Sequence, residues 1–313
     1  MKILFIDTAH PILFSLLEKA GNVCVPGNTL SRKEILEVIH EYDGVIIRSR
    51  IKLDKEFIDK AAHLKFIGRV GAGMESIDVK YAEQKGIACI NSPEGNMDAV
   101  GEHAIGMLLS LFNHLSRADA EVKAGKWNRE PNRGIELSGK TVGLIGYGLM
   151  GKSFAKKLSG FDCNVIAYDK YLHDFSDAFV KEVSLQEIFN ETDVLSLHIP
   201  LSHETENLVN DAFINSFKKN IYVINTARGK CLKTDDLVKN LKTGKVLGAC
   251  LDTIEYEDTS FEAISDLQSH ISELLEFSDR VMLSPHIAGW TKESNEKLAR
   301  ILAEKIIRKF GGQ

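Results

Sequence analysis

A glycine-rich turn between two apolar runs constrains this chain more than any other stretch. Residues 141–145, Thr-Val-Gly-Leu-Ile, are short, apolar and partly β-branched, the composition of a buried parallel strand. They run into Gly146-Tyr147-Gly148-Leu149-Met150-Gly151, which has the spacing G-x-G-x-x-G. A helical pattern follows, with Met150, Phe154 and Leu158 on one face and Lys152, Lys156 and Lys157 off it. A second apolar run, Asn164 to Tyr168, then ends in Asp169, eighteen residues after Gly151 (169 − 151).

Each piece has a job in holding a dinucleotide. Gly146 permits the tight turn off the strand, and Gly148 lets the backbone approach a pyrophosphate. Gly151 allows the helix to pack closely on the sheet. The helix N-terminus, from Leu149 and Met150 onward, offers N–H groups and a positive dipole end to the phosphates. Asp169 at the second strand tip can accept hydrogen bonds from both ribose hydroxyls and repels a 2′-phosphate, which favours NAD over NADP. Lys170 beside it is either a solvated loop lysine or a cation that tolerates some NADP. Glycine-rich turns are common in α/β proteins. The strand before, the helix after and the acid at the right distance make this one specific.

At 313 residues the chain is long for a single core, and two domains are expected. A net charge of −5 gives no reason to expect nucleic acid or an anionic membrane as partner. Any anionic substrate must then be gathered by local arginines. No run approaches the length of a membrane span, and residues 3–6 are too short an apolar stretch for a signal peptide. A cytoplasmic protein is therefore expected. Cys24, Cys89, Cys163, Cys231 and Cys250 are odd in number and scattered through apolar runs. They read as buried thiols in a reducing compartment, with neither a disulfide framework nor a metal site. Cys231 alone lies near chemistry and is expected to be inert packing.

Along the chain, residues 1–96 alternate short apolar strands with helical patterns, with strands expected at 2–6, 22–25, 44–47, 65–69 and 87–90 and a helix at 31–40. Such alternation with short connections implies a parallel sheet covered on both faces. A long helix is expected from Met97 to Ala124, with Asn96 as its N-cap. The stretch 125–139 reads as an arm, whose Trp127 either anchors a subunit contact or packs on its own domain. A second α/β domain starts at Lys140, with later strands at 194–198, 221–224, 247–251 and 281–283. The stretch 257–277 is long and acidic, and is expected to carry a helix with Ile264, Leu267, Ile271, Leu274 and Leu275 on one face. An amphipathic helix at 292–310 is expected to return to the first domain. The division is thus 1–96 with 292–313, and 97–291: two doubly wound parallel-sheet α/β domains.

In such sheets ligands sit at the carboxyl ends of the strands. The tips give Gly146–Gly151, Asp169, His198-Ile199-Pro200, Asn225-Thr226-Ala227-Arg228-Gly229, Asp252 and Ser284-Pro285-His286. Histidine suits proton exchange with a hydroxyl. Arginine's fork matches a carboxylate in two hydrogen bonds. Together in a nicotinamide site they suggest hydride transfer at a carbon–oxygen bond.

Taken in order, the glycine turn, Asp169, Leu197-His198-Ile199-Pro200-Leu201, Thr205, Asn225–Gly229, Asp252, Glu257 and Ser284-Pro285-His286-Ile287-Ala288-Gly289 resemble the D-isomer-specific 2-hydroxyacid dehydrogenases. The resemblance covers nearly the whole chain. It implies a flavodoxin-like substrate domain and a Rossmann NAD-binding domain with the active site in the cleft between them, and a homodimer formed through the long helix and arm. It also implies a catalytic trio: His286 exchanging the proton, Arg228 gripping the carboxylate and Glu257 holding His286. Asp258 stands where the family usually has proline, and Glu255 is the alternative partner for His286. Cofactor contacts carry over to Gly146, Gly148, Leu149, Met150, Gly151, Asp169, His198, Pro200, Thr205, Thr226, Ala227, Asp252 and Ala288. The carboxylate-binding loop carries over to Val70, Gly71, Ala72 and Gly73, whose glycines suit an anion nest.

Arg48-Ser49-Arg50 and residues 91–96 are similar to the phosphate-binding segment and its companion loop in 3-phosphoglycerate dehydrogenases. A solvated basic edge is the plainer reading of the first. D-3-phosphoglycerate, and with it serine biosynthesis, is therefore the expected substrate. D-lactate, glyoxylate/hydroxypyruvate and branched 2-keto acids are the alternatives. From another class, a non-catalytic NAD-sensing corepressor would keep the glycine turn without needing Arg228, Glu257 and His286.

Overall fold

The central apolar runs, Gly44–Ile47, Thr141–Ile145 and Val194–Leu197 among them, become strands because they are buried on both faces, which leaves no polar alternation to disrupt them. The computed structural model describes residues 1–257 and 267–311, which divide into two compact units. The first unit takes residues 1–96 and 290–311, and the second 97–257 and 267–289. In the first, β1 (Lys2–Phe5), β2 (Val23–Pro26), β3 (Gly44–Ile47), β4 (Phe66–Arg69) and β5 (Ala88–Asn91) pair in the order β2-β1-β3-β4-β5. All of these pairings are parallel. The order reverses between β1 and β3, the switch point of a flavodoxin-like sheet. Period-two alternation sorts the side chains by face. Leu4, Ile6, Val45, Ile47 and Ile67 pack with Ile35, Ile39 and Phe57. Ile3, Phe5, Ile46 and Phe66 face the other way, toward Leu13 and Leu17.

The connecting helices are α1 (Pro11–Lys19), α2 (Arg32–Val38), α3 (Lys55–Lys60) and α4 (Val79–Gln84). A capping box between Ser31 and Glu34 starts α2, and Asp54 and Asp78 cap α3 and α4. The C-terminal helix α12 (Lys292–Phe310) lies where the sequence puts it, with Ala299, Leu302, Ala303 and Ile306 buried in the first unit's core. Its Lys305 reaches Glu94 at 2.8 Å and the carbonyl of Asn91 at 3.0 Å, tying down the loop at 91–96.

The second unit holds β6 (Thr141–Ile145), β7 (Asn164–Tyr168), β8 (Lys181–Glu182), β9 (Val194–Leu197), β10 (Ile221–Asn225), β11 (Val246–Leu251) and β12 (Val281–Leu283). They form one parallel sheet in the order β12-β11-β10-β9-β6-β7-β8. Its switch point falls between β6 and β9, beside the glycine turn. Helices α7 (Leu149–Leu158), α8 (Leu185–Glu191), α9 (Asp211–Asn215) and α10 (Thr234–Thr243) connect these strands. Strand β8 is only two residues long, too short to leave a pattern in the sequence.

Three expectations are corrected. The helix expected over 97–124 is two helices, α5 (Met97–Phe112) and α6 (Leu115–Lys123). His114 between them sits at φ +51°, a left-handed conformation that histidine tolerates better than most residues. The chain returns at Ile135, whose N–H donates to the Phe112 carbonyl at 3.1 Å and so closes the end of α5. Neither glycine nor proline marks the break, so the apolar spacing runs through it unchanged. Asn96 does not cap α5, because its Oδ1 is buried without a hydrogen-bond partner among the described residues. Finally, α11 (Leu267–Leu275) buries Leu274 but leaves Leu275 45% exposed, so the face expected to be apolar is only partly used. Ile264 lies outside the described residues.

None of the five cysteines is in a disulfide, and Cys24, Cys231 and Cys250 are buried. No helix among the described residues is long and apolar enough to cross a membrane.

Candidate active site

The glycine turn has the shape its spacing implies. Gly146 adopts φ +94°, and a Cβ there would lie 2.5 Å from the His198 carbonyl. A Cβ on Gly151 would lie 2.5 Å from the Gly146 carbonyl, so α7 can approach the turn only as glycine. Gly148 is different, since nothing lies within 4 Å of its would-be side chain. It is exposed, and it starts α7 with no side-chain cap, leaving first-turn N–H groups for an anion. Leu149 is exposed and Met150 half-buried beside it.

Asp169 is bound into this turn. Its Oδ2 accepts from the Tyr147 N–H at 2.8 Å, and its Oδ1 from the N–H groups of Tyr171 and Leu172 at 2.9 and 3.0 Å. Burial pushes the carboxyl pKa up, but these backbone donors outweigh it and hold it below the usual range. Three of roughly four acceptor directions are thereby used, leaving room for about one ribose hydroxyl where the sequence suggested two. Lys170 pairs with Glu204 at 2.9 Å, as a solvated loop lysine would.

At the tip of β9, His198 Nε2 lies 2.9 Å from Ser196 Oγ, and its ring packs on Phe154. Burial lowers its pKa to about 4, so the ring is neutral at physiological pH. Thr205 Oγ1 donates to the Pro200 carbonyl at 2.7 Å, closing the loop that follows.

At the tip of β10, buried Asn225 organises the arginine loop. Its Oδ1 accepts from the Ala227 N–H at 3.1 Å, and its Nδ2 donates to the Arg228 carbonyl at 2.9 Å. Arg228 is itself anchored through Nη1 to the Ala227 carbonyl at 2.6 Å. A Cβ on Gly229 would sit 1.8 Å from the Ile254 carbonyl, so only glycine lets the arginine loop touch the loop after β11. Thr226 Oγ1 is buried and has no partner among the described residues.

That second loop carries both candidate glutamates, and the structure separates them. Glu257 Oε2 lies 2.6 Å from His286 Nδ1, while its Oε1 accepts from the Ile254 N–H at 2.6 Å. Glu255 instead accepts from the Thr234 N–H at 2.8 Å, satisfying an orphan donor at the start of α10. An ionised carboxylate only accepts, so the proton between Glu257 and His286 sits on Nδ1.

Asp252 holds the histidine loop. Its carbonyl accepts from the His286 N–H at 2.8 Å, and its two carboxylate oxygens accept from the N–H groups of Ile287 and Ala288 at 2.9 and 2.8 Å. Ser284 Oγ donates to it at 2.6 Å. Asp252 is 1% exposed. Burial raises its pKa, and contacts with His103, Ser284, Ala288 and Ile287 bring it below the usual range. The sequence singled out Asp252 as a cofactor contact; the structure also makes it the clamp of the histidine loop. His103 on α5 was missed altogether.

In the first unit, Asp7 plays a similar part. It is 8% exposed, and its Oδ2 accepts from the N–H groups of Arg48 and Ser49 at 2.6 and 3.1 Å. Arg50, expected as a phosphate ligand, turns its side chain back into its own sheet. Its guanidinium donates to Asp7 Oδ1 at 3.0 Å and to the carbonyls of Ile6, Leu30 and Gly27. Most of its five donors are spent clasping the ends of three strand loops. Arg48 stacks on the ring of Trp290, 4.3 Å from its centroid. In the loop after β4, Gly71 takes φ +148°. The N–H groups of Ala72 and Gly73 donate to no acceptor among the described residues.

Comparison with known proteins decides the family. The model of the D-isomer specific 2-hydroxyacid dehydrogenase NAD binding domain matches residues 105–288. Hydroxypyruvate reductase of Thermotoga maritima is 35% identical over 296 residues, covering 95% of this chain and 94% of that one. The chain belongs to the D-isomer-specific 2-hydroxyacid dehydrogenases. D-3-phosphoglycerate dehydrogenase of Archaeoglobus fulgidus is 34% identical over the full chain, which spans only 58% of that relative's length. Among solved structures, D-lactate dehydrogenase of Lactobacillus jensenii with NAD+ superposes with a TM-score of 0.79 at 26% identity, covering 98% of this chain and 96% of that one. As a member of this family the protein is an NAD-dependent oxidoreductase acting on a CH–OH group. Its second unit fits the cofactor on its own geometry. Gly148 is open to an anion, Asp169 sits at the tip of β7 bound to the same turn, and the Thr226 hydroxyl, without a partner among the described residues, lies in the arginine loop.

Proposed function

We propose that this dehydrogenase reduces a short, unphosphorylated 2-keto acid, hydroxypyruvate or glyoxylate, to the corresponding 2-hydroxy acid. The observation that carries this choice is the commitment of Arg50 to Asp7 and backbone carbonyls, which removes half of the arginine pair that a phosphate would need. The end-to-end match with a hydroxypyruvate reductase supports it. D-3-phosphoglycerate is the second reading, favoured by Arg48 at the same strand tip and by the phosphoglycerate dehydrogenase relatives.

In the catalytic assignment His286 Nε2 gives its proton to the carbonyl oxygen on reduction and takes it back on oxidation. Glu257 fixes the ring and balances the charge of the doubly protonated imidazole. Arg228 grips the substrate carboxylate with its fork, and the N–H groups of Ala72 and Gly73 form an anion nest in the first unit. Bound NADH supplies the hydride that adds to C2. The protein's own work is therefore to orient the acid, hold the carboxylate and deliver one proton. The polar Arg228–Glu257–His286 set argues against a purely NAD-sensing role.

The test is NADH oxidation with hydroxypyruvate, glyoxylate, pyruvate and 3-phosphohydroxypyruvate, for the natural protein and Arg48→Ala. Hydroxypyruvate or glyoxylate should lead by at least about tenfold in kcat/KM, the size of one polar contact. Preference for the phosphorylated acid, lost selectively in Arg48→Ala, would reverse the assignment. A homodimer is part of the proposal. Trp127 is 78% exposed and so does not pack on its own unit, while Leu115 and Val122 of α6 are also exposed. A monomer in sedimentation would exclude it.

A further inference from the structure

We propose that His103 on α5 is a positioning residue for the acid–base histidine, acting through Ser284 and Asp252. The inference rests on His286 being the proton donor. It follows from counting protons. Asp252 is a buried carboxylate and can only accept. Ser284 has one hydroxyl proton, and the 2.6 Å contact to Asp252 Oδ1 is where it goes. Ser284 Oγ must then accept across its 2.9 Å contact with His103 Nε2, which fixes the proton of His103 on Nε2. That same nitrogen lies 3.4 Å from Asp252 Oδ1. The direction of donation is therefore His103 to Ser284 to Asp252.

What Asp252 does with its remaining acceptors makes this matter. His286 sits at φ +54°, a left-handed conformation that strains a non-glycine residue and persists only when its surroundings impose it. Asp252 imposes it from three points: its carbonyl on the His286 N–H, and its carboxylate on the N–H groups of Ile287 and Ala288. The carboxylate can serve two backbone donors in that geometry only if it stays in place. His103 and Ser284 are the side chains that hold it from behind. The Glu257 contact orients the ring of His286, and this second chain orients its backbone. Neither duplicates the other.

A histidine merely satisfied inside a helix–sheet contact would look similar but behave differently on substitution. His103 borders a cavity of about 260 Å³ lined also by Gly106, Met107, Met282, Leu283 and Ser284, so a leucine in its place meets open space. Turnover of hydroxypyruvate and NADH binding by fluorescence are measured for the full chain carrying His103→Leu, His103→Gln, Ser284→Ala and the His103→Leu/Ser284→Ala double substitution. His103→Leu should lose about tenfold in kcat with KM and NADH affinity within about twofold, the effect of one hydrogen bond to a charged network. His103→Gln, whose amide nitrogen can reach the same point, should recover most of that loss. In the Ser284→Ala background, His103→Leu should cost less than about twofold, because the link is already cut.

Natural kcat in His103→Leu, or a Gln variant that binds NADH yet is as slow as Leu, would overturn the proposal. If His103→Leu does not fold, Ser284→Ala alone decides: natural kcat there overturns it, and a loss of about tenfold in kcat with KM and NADH affinity within about twofold sustains it. His286→Ala is run alongside. Turnover surviving in that variant would remove the acid–base assignment itself, whereas an inactive His286→Ala beside a normal His103→Leu would remove only this inference.

Discussion

Asp7 and Asp252 are the same device in two sheets. Each follows a buried strand, each is almost wholly buried, and each takes the backbone N–H groups of a neighbouring strand's loop. They differ in what they leave over. Asp7 also takes the guanidinium of Arg50, so its loop is closed on itself and the nearby cation is spent. Asp252 takes a hydroxyl and a histidine from behind, and the loop it holds presents His286 outward to Glu257. A buried carboxylate at a strand tip is therefore no mark of an active site by itself. The mark is a titratable side chain that the carboxylate positions without consuming.

The largest effect that sharpens this contrast is at His286. His286→Ala should lower kcat by about a thousandfold while NADH still binds, since general acid catalysis is worth two to four orders of magnitude. Near-natural turnover would remove His286 from the chemistry. Next come the two glutamates. Glu257→Gln should reduce kcat by about thirtyfold, a lost charge beside the reacting imidazole. Glu255→Gln should change kcat less than about threefold and cost only a helix cap, on the order of 1 kcal/mol of stability. Equal losses in kcat would merge their roles. The smallest effect is at Asp169. Asp169→Ala should narrow the preference for NAD over NADP by about tenfold, one unfavourable charge contact removed. An unchanged ratio would leave the acid with only its backbone duties.

The contrast also shows what a sequence can carry. Strands β6, β7, β3 and β12 fall on the expected residues because buried parallel strands are unbroken apolar runs. The glycine turn was legible because Gly146 and Gly151 answer steric needs that no other residue meets. Adjacent charges were less so. Nothing in Arg48-Ser49-Arg50 says which arginine folds back on three loop carbonyls, since that depends on where β1 and β2 end. Glu255 and Glu257 differ only in which lies under the Thr234 N–H and which beside His286. His103 was invisible because its partner Ser284 is 181 residues away and it stands in a mainly apolar helix beside Glu102. A polar residue at an inward position of such a helix was the one available signal. The break at His114 left none, because it is imposed by the return of the chain at Ile135.

Asp7→Asn and Asp252→Asn, measured side by side for kcat and thermal midpoint, test the central claim most directly. Each substitution weakens hydrogen bonds to a buried carboxylate, at about 2–3 kcal/mol and several degrees in the midpoint. Asp7→Asn should show that loss of stability with kcat within about threefold, whereas Asp252→Asn should lose at least about fiftyfold in kcat as His286 leaves its imposed conformation. Equal losses of kcat in the two variants would contradict the account, because the two carboxylates would then be serving the same end.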